Sequence, residues 1–197
     1  MINEIDKLDS EELLHLSLKA MESDNHDTAI IYLKRALELS PDNANVQYLL
    51  AAEYAEIGMY DRAKEGMTKA LEINPDMGTT RFQLGLLHIT SGDVQPAEEV
   101  WEKLSELGEN HPLYLFKCGL LHLAKDEFNE CHEFLTKGIE LNTINPALNN
   151  DMRRMLTNIA DKVTTTEQQK ETAEEQATEE SNEEKRDNHI LLSNYQS

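Results

Sequence analysis

The chain has 197 residues, 39% of them hydrophobic, and a formal net charge of -20 at pH 7. This length suits one ordinary domain with some chain left over. Its 5 Pro and 8 Gly are few for a loop-rich protein or a β-sandwich. The negative field would repel nucleic acid and anionic membrane surfaces, so we expect neither as a partner.

Cysteine usage and the first residues bear on the compartment. Two cysteines, Cys118 and Cys131, are too few for a disulfide framework in a chain of this length. Residues 1–6 lack the basic flank and the apolar run of a signal peptide. No apolar stretch is long enough to span a bilayer. We therefore expect a cytoplasmic protein.

A 34-residue period runs through most of the chain. Residues 37–42 read LELSPD and residues 71–76 read LEINPD, 34 positions later. Residues 82–88 read FQLGLLH and residues 116–122 read FKCGLLH, at the same separation. Two columns keep the period in four copies, one of small residues (Ala29, Ala63, Ala97, Cys131) and one of large residues (Leu33, Met67, Trp101, Leu135). Such self-similarity indicates a repeat architecture.

These residues resemble the tetratricopeptide repeat (TPR) family, whose unit is a 34-residue helix-turn-helix. The match is clearest in the second copy, where Leu50, Ala51 and Tyr54 fall on the first helix, Ala63 on the second and Pro75 at the end. The resemblance implies an all-α fold, a right-handed superhelical stack of repeats (an α-solenoid). The repeats are expected at about 10–43, 44–77, 78–111 and 112–145.

The third and fourth copies depart from the family pattern in two places. Glu109 and Thr143 stand where the closing proline is expected. His88 and His122 stand where an aromatic residue or Leu is usual. Drift of this kind blurs the last repeat boundaries but leaves the predicted fold unchanged.

The chain beyond the repeats divides into two parts. Asn145 and Pro146 form an N-cap and a first-turn proline, and apolar residues then recur at helical spacing as far as Val163. We expect a capping helix at 146–163 that completes a domain at 1–163. Residues 164–197 are rich in Thr, Glu, Gln and Asn, so they are expected to form a disordered acidic tail.

No catalytic motif stands out, so no catalytic residue, no enzyme activity and no cofactor are predicted. The best candidate for chemistry is the cluster of Cys118, His122 and Cys131, which could converge as three soft zinc ligands. A structural zinc site prefers four ligands, and small buried cysteines are common in cores. A metal-binding protein is therefore kept only as a remote alternative, and no metal site is predicted.

In TPR proteins the first helices line a concave groove that is the usual ligand surface. The resemblance thus implies a partner-binding groove, here with consecutive rows of mostly apolar residues. Its predicted members are Leu14, Leu18, Tyr48, Ala52, Phe82, Leu86, Phe116, Lys117 and Leu120. A solvated apolar patch of this kind marks an interaction site.

The composition of that groove predicts the chemistry of the partner. Co-chaperones of this family hold acidic C-termini with a clamp of Lys, Arg and Asn, but here Lys117 is the only basic candidate. We expect instead an apolar or amphipathic protein segment whose basic flanks suit the acidic rim.

The predicted function is a protein-protein interaction adaptor or scaffold. The alternative is a small acidic TPR chaperone of the secretion-chaperone type, which shields apolar cargo. Self-association could also cover the groove, or the apolar residues 190–195 could occupy it through the flexible tail.

Overall fold

The computed structural model of the chain describes residues 4–163. It divides the chain into two compact units, Met1–Lys117 and Cys118–Ser197, which are described separately. No strand occurs within the described range. The predicted acidic tail and its apolar residues 190–195 lie outside the described residues.

The described residues form paired helices, and the predicted all-α fold is confirmed. After a 3-10 turn at Glu4–Lys7, the helices are α1 (Ser10–Met21), α2 (His26–Leu39), α3 (Ala44–Glu56), α4 (Tyr60–Ile73), α5 (Gly78–Thr90), α6 (Val94–Trp101), α7 (Pro112–Leu123) and α8 (Phe128–Leu141). Residues 146–163 form a further helix, α9. First helices begin at residues 10, 44, 78 and 112, and second helices at 26, 60, 94 and 128, so the helices repeat with the period of the sequence.

The turn inside each repeat has the same backbone geometry. One residue per turn adopts a left-handed conformation, with φ between 52° and 82°, at Asp24, Gly58, Gly92 and Asp126. The next N–H reaches back five residues, as from Met59 to the Tyr54 carbonyl at 2.7 Å. This is the bond that ends a helix in a Schellman motif, and it explains why Gly or Asp stands at this position.

Local capping starts several helices. Asp9 caps α1 through a capping box, because its Oδ1 accepts from the N–H of Glu12 at 2.8 Å and the Glu12 carboxylate accepts from the N–H of Asp9 at 3.0 Å. Asn43 caps α3 by accepting from the N–H groups of Asn45 and Val46. Each cap satisfies donors that the first turn of a helix leaves unpaired.

Small buried residues set the spacing of the paired helices in the unit Met1–Lys117. Ser17 and Ala29 are fully buried in the first repeat, and Ala51 and Ala63 in the second. Side chains of this size let two helices pack closely. Larger core residues fill the space beside them, and Leu13, Leu33, Val46 and Leu50 form one cluster.

In the unit Cys118–Ser197, α8 and α9 are joined by a network of amides. Asn145 caps α9 as expected, because its Oδ1 accepts from the N–H of Leu148 at 3.1 Å. Asn142 donates to the Oδ1 of Asn149 at 2.8 Å, and Asn149 donates back to the Asn142 carbonyl at 2.8 Å. Leu148, Met152 and Ile159 bury the apolar side of α9.

Candidate partner-binding surface

Three apolar residues predicted to line the groove are interior residues, so this part of the sequence-based surface was wrong. Phe82, Phe116 and Leu120 are fully buried. The ring of Phe82 lies 5.6 Å from Trp101 in a stacked arrangement and 6.1 Å from Phe116 in a tilted one. Aromatic pairs at these distances are packing contacts of a core.

The burial of Phe82 follows from the position of Trp101. The indole Nε1–H donates to the Phe82 carbonyl at 2.9 Å, and Gly85 offers the ring a surface without a side chain. A Cβ at position 85 would overlap the indole. Trp101 therefore requires a glycine at position 85 on α5, the helix that it faces.

Lys117 was also misassigned, because it is an interior residue with 9% of its surface exposed. Its Nζ donates to the Trp101 carbonyl at 3.2 Å and to Ser105 Oγ at 2.6 Å. At Trp101 α6 ends and the chain continues as a 3-10 helix over Glu102–Leu107. The amine thus satisfies a carbonyl at the point where the helix tightens.

The remaining predicted groove residues keep accessible surface. Leu18 is 38% exposed, and its companions in the unit Met1–Lys117 are half-buried: Leu14, Tyr48, Ala52 and Leu86. These five residues are called the first-helix face, because they lie on α1, α3 and α5. Burial raises the pKa of the Tyr48 hydroxyl, and the nearby Gln83 side chain on α5 opposes that shift.

Sequence reasoning missed a buried carboxylate beside the first turn. Glu53 on α3 is 2% exposed, and its Oε2 lies 3.0 Å from the Nδ1 of His26 at the start of α2. That hydrogen bond raises the pKa of His26, against the opposing effect of burial. Residues so far apart in the chain give no local signal for such a pair.

The histidines that depart from the family pattern each face a carboxylate five residues later. His122 Nδ1 lies 2.6 Å from Glu127, and His88 Nδ1 lies 3.8 Å from Asp93. Partial burial lowers the pKa of His88 and the charge of Lys64 lowers it further, whereas Asp93 raises it. His122 therefore supports the turn that follows α7, whereas the separation at His88 is too long for a hydrogen bond.

The side chains of Cys118, His122 and Cys131 are not grouped as metal ligands within the described part of the chain. Burial raises the pKa of the Cys131 thiol to about 11, which disfavours the thiolate that binds metal. His122 is occupied by Glu127 and stacks on Phe134 at 5.2 Å. Within residues 4–163 no group of three His, Cys, Asp or Glu side chains is placed to hold an ion.

Comparison with known proteins supports the repeat fold. The family model described as Tetratricopeptide repeat matches residues 20–67. No protein with a curated description matches the chain. Within the described residues no helix is both long and apolar enough to cross a membrane.

Solved structures share the fold at low sequence identity. A crystal structure of MamA is 24% identical with a TM-score of 0.59, and the match covers 69% of this chain and 80% of MamA. MamA from Desulfovibrio magneticus RS-1 is 15% identical with a TM-score of 0.59, over 86% of this chain and 98% of that one. The APC/C hetero-tetramer Cut9-Hcn1 gives a TM-score of 0.64 at 18% identity, over 70% of this chain and 26% of the matched one.

Proposed function

Because the chain is a tetratricopeptide-repeat protein, we propose that it is an interaction scaffold that binds an apolar or amphipathic segment of a partner protein on its first-helix face. The single observation that carries the proposal is the accessible apolar surface of Leu18 and its half-buried companions on three successive first helices. Apolar surface in a continuous strip marks protein contacts more often than scattered single residues do.

The accessible residues define where a partner side chain would anchor. Leu18 is the most exposed member of the face, while Tyr48 offers a half-buried aromatic ring. A tyrosine side chain has only two rotatable χ angles, so it costs little conformational entropy on binding. Each buried Leu or aromatic anchor would contribute about 1.5–3 kcal/mol before ordering costs.

The net negative charge of the chain suggests that basic residues flank the apolar anchors of the partner segment. The chain carries 38 acidic residues against 18 Lys and Arg, so basic residues beside the apolar anchors would be attracted as the partner approaches. Such attraction mainly speeds association and depends on salt. The Cut9-Hcn1 assembly is a hetero-tetramer built on a similar fold, which is consistent with a role in holding another chain.

A pull-down from native lysate tests the proposal. The bait variant is Leu18→Glu/Ala52→Glu, because both residues keep accessible surface and neither is a core residue. Ile31→Glu on α2 is the matched control, since Ile31 is 53% exposed but lies on a second helix. We expect the control to retain the wild-type partners and the double variant to lose them, with unchanged helicity by circular dichroism. Equal recovery by all three baits would refute the first-helix face as the binding surface.

The secretion-chaperone alternative uses the same face, and no feature of the described residues favours it. It differs in its partner, because a chaperone would hold apolar segments that are exposed before their own protein folds. Binding to the folded form of a captured partner would support a scaffold, and binding only to its unfolded form would support the chaperone.

A further inference from the structure

A cavity of about 250 Å³ lies between α3 and α4 in the unit Met1–Lys117. It is lined by Gln47, Leu50, Ala51 and Tyr54 of α3 and by Arg62, Glu65, Gly66 and Lys69 of α4, and is called the Tyr54 cavity. It is separate from the first-helix face in its residues, none of which is shared.

Gly66 lets α3 and α4 approach closely beside the cavity in the second repeat. The equivalent residues at the 34-residue period are Tyr32, Val100 and Phe134, all half-buried. Gly66 is instead buried against Ala51, where an added Cβ would come within 2.8 Å of the Ala51 Cβ. The second repeat therefore lacks the side chain that its three counterparts carry at this position, because α3 lies too close to admit one.

Two cationic side chains converge on the ring of Tyr54. Lys34 Nζ from α2 lies 5.9 Å from the ring centroid, and the Arg62 guanidinium carbon from α4 lies 5.6 Å from it. Within residues 4–163 neither cation forms an ion pair with a carboxylate. The ring attracts both cations. Glu65, whose pKa is lowered first by Lys69 and to a smaller extent by Arg62, also acts on Arg62 through its charge.

The surroundings of the cavity carry a charge opposite to that of the whole chain. Arg62 and Lys69 are the two cations among the lining residues, and Glu65 is the one carboxylate among them, paired with Lys69 at 2.8 Å. Outside the lining, Lys34 adjoins the cavity through the Tyr54 ring, and Glu72 acts on Lys69 through its charge. Charges farther away than about 8 Å are largely screened at physiological salt. A group inside the cavity is therefore governed by these near cations rather than by the net charge of -20.

We infer that the Tyr54 cavity is a second binding site, which takes an Asp or Glu side chain from an acidic segment of a protein partner. The carboxylate would lie between Lys34 and Arg62, where the guanidinium offers paired N–H donors. Leu50 and Ala51 would contact the aliphatic part of the segment, and the Gln47 amide would pair with its backbone. Glu65 disfavours a dianionic phosphate more than a carboxylate, so a carboxylate is the better match.

The test is a selection from a random 12-residue peptide display library on the full-length chain and on a Lys34→Glu/Arg62→Glu variant. We expect the wild type to enrich peptides that contain Asp or Glu and the variant to lose them. Each enriched peptide is then titrated by fluorescence anisotropy beside its Asn/Gln version. Loss of an ion-paired contact should weaken binding about tenfold or more.

Point variants assign the contact to the cavity. Lys34→Ala and Arg62→Ala should each weaken the acidic peptide about tenfold, and Lys137→Ala, an exposed lysine of α8, should leave it unchanged. Arg62→Lys should recover part of the affinity, which a merely unfolded variant would not. Thermal unfolding of each variant checks that the fold is kept.

Three outcomes would overturn the inference. The first is enrichment of the same peptides on wild type and charge-reversed variant, and the second is enrichment of peptides without acidic residues. The third is tighter binding of a phosphoserine version through Lys34 and Arg62, which would assign the cavity to phosphopeptides instead. Leu18→Glu should leave the acidic peptide bound. The experiments can therefore refute this inference without refuting the proposed role of the first-helix face, and the reverse.

Discussion

The indole of Trp101 lies against the backbone of Gly85, at a place where any side chain on α5 would overlap the ring. Gly119, one repeat later, faces Leu135 instead, and an added Cβ there would come within 2.7 Å of a Leu135 methyl carbon. The two glycines occupy the same column, 34 residues apart, but only one of them faces a rigid ring.

We therefore expect Gly85→Ala to destabilise the protein by about 3 kcal/mol, because a planar ring in a packed core cannot yield. Gly119→Ala should cost about 1 kcal/mol or less, because Leu135 can rotate and alanine favours helix. Urea unfolding followed by circular dichroism measures both changes. In the double variant Gly85→Ala/Trp101→Phe the loss should be smaller than the sum of the single losses. Additive losses would mean that the overlap is not the cause.

Lys117→Met should lower the free energy of unfolding by about 1–3 kcal/mol, because it leaves the Trp101 carbonyl without its donor. Lys103→Met is the matched control. Its amine pairs with Asp76 at the surface, where 39% of the lysine side chain is exposed, so the control should cost less than about 1 kcal/mol. Chemical denaturation compares the two variants, and equal losses would argue against a structural role for the Lys117 amine.

The pair of His26 and Glu53 predicts a pH-dependent stability. The pKa of His26 is raised above its ordinary 6.5 by the hydrogen bond to Glu53 first, with smaller contributions from Glu53, Glu56 and Asp24 charges and with burial opposing. Protonated His26 is therefore favoured in the folded chain. Its contribution is fully present below pH 6.5 and is lost as the pH rises through the folded pKa.

Melting temperatures of the wild type and of His26→Gln, measured from mildly acidic to alkaline pH, test the interaction of His26 with Glu53. The wild type should exceed the variant most in mildly acidic buffer, and the difference should shrink as the buffer becomes alkaline. The NMR titration of the His26 ring should show the raised pKa directly. A difference that is constant with pH would mean that Glu53 does not interact with a charged imidazole.

The left-handed turn residues predict one stabilising substitution. Asp126 has φ 59°, whereas the equivalent Gly92 has φ 82° without strain. Asp126→Gly should stabilise the protein by about 0.5 kcal/mol, and Gly92→Ala should destabilise it by about 1 kcal/mol. Thermal unfolding of the two variants shows whether each change raises or lowers the stability. Stabilisation by Gly92→Ala would contradict this account of the turns.

The sequence predicted the helices well because each repeat supplies the same signals. Small residues such as Ala51 and Ala63, and turn residues such as Gly58, recur at one period and fix where helices pair and end. Repetition also makes an isolated departure recognisable in the sequence alone, as at Gly66, where the other copies carry a larger side chain.

Burial of the predicted groove was harder to foresee. A column in the sequence identifies the helix face of Phe82 but not how closely the next first helix covers it, which depends on the fit of Trp101 against Gly85. Lys117 could not be assigned either, since its partner is a backbone carbonyl exposed by a local change of helix type. The pairing of His26 with Glu53 depends likewise on tertiary contact.

The 3-10 segment at Glu102–Leu107 means that the third repeat is not interchangeable with the second. Six residues in 3-10 geometry advance about 3 Å farther than six in an α-helix, and the segment depends on an amine that belongs to the following repeat. If residues 78–111 were duplicated or moved, the Trp101 carbonyl and the longer 3-10 segment would lie beside a repeat that lacks Lys117. The order of the repeats in this protein is thus constrained by contacts between specific neighbouring repeats, even though all repeats have the same length.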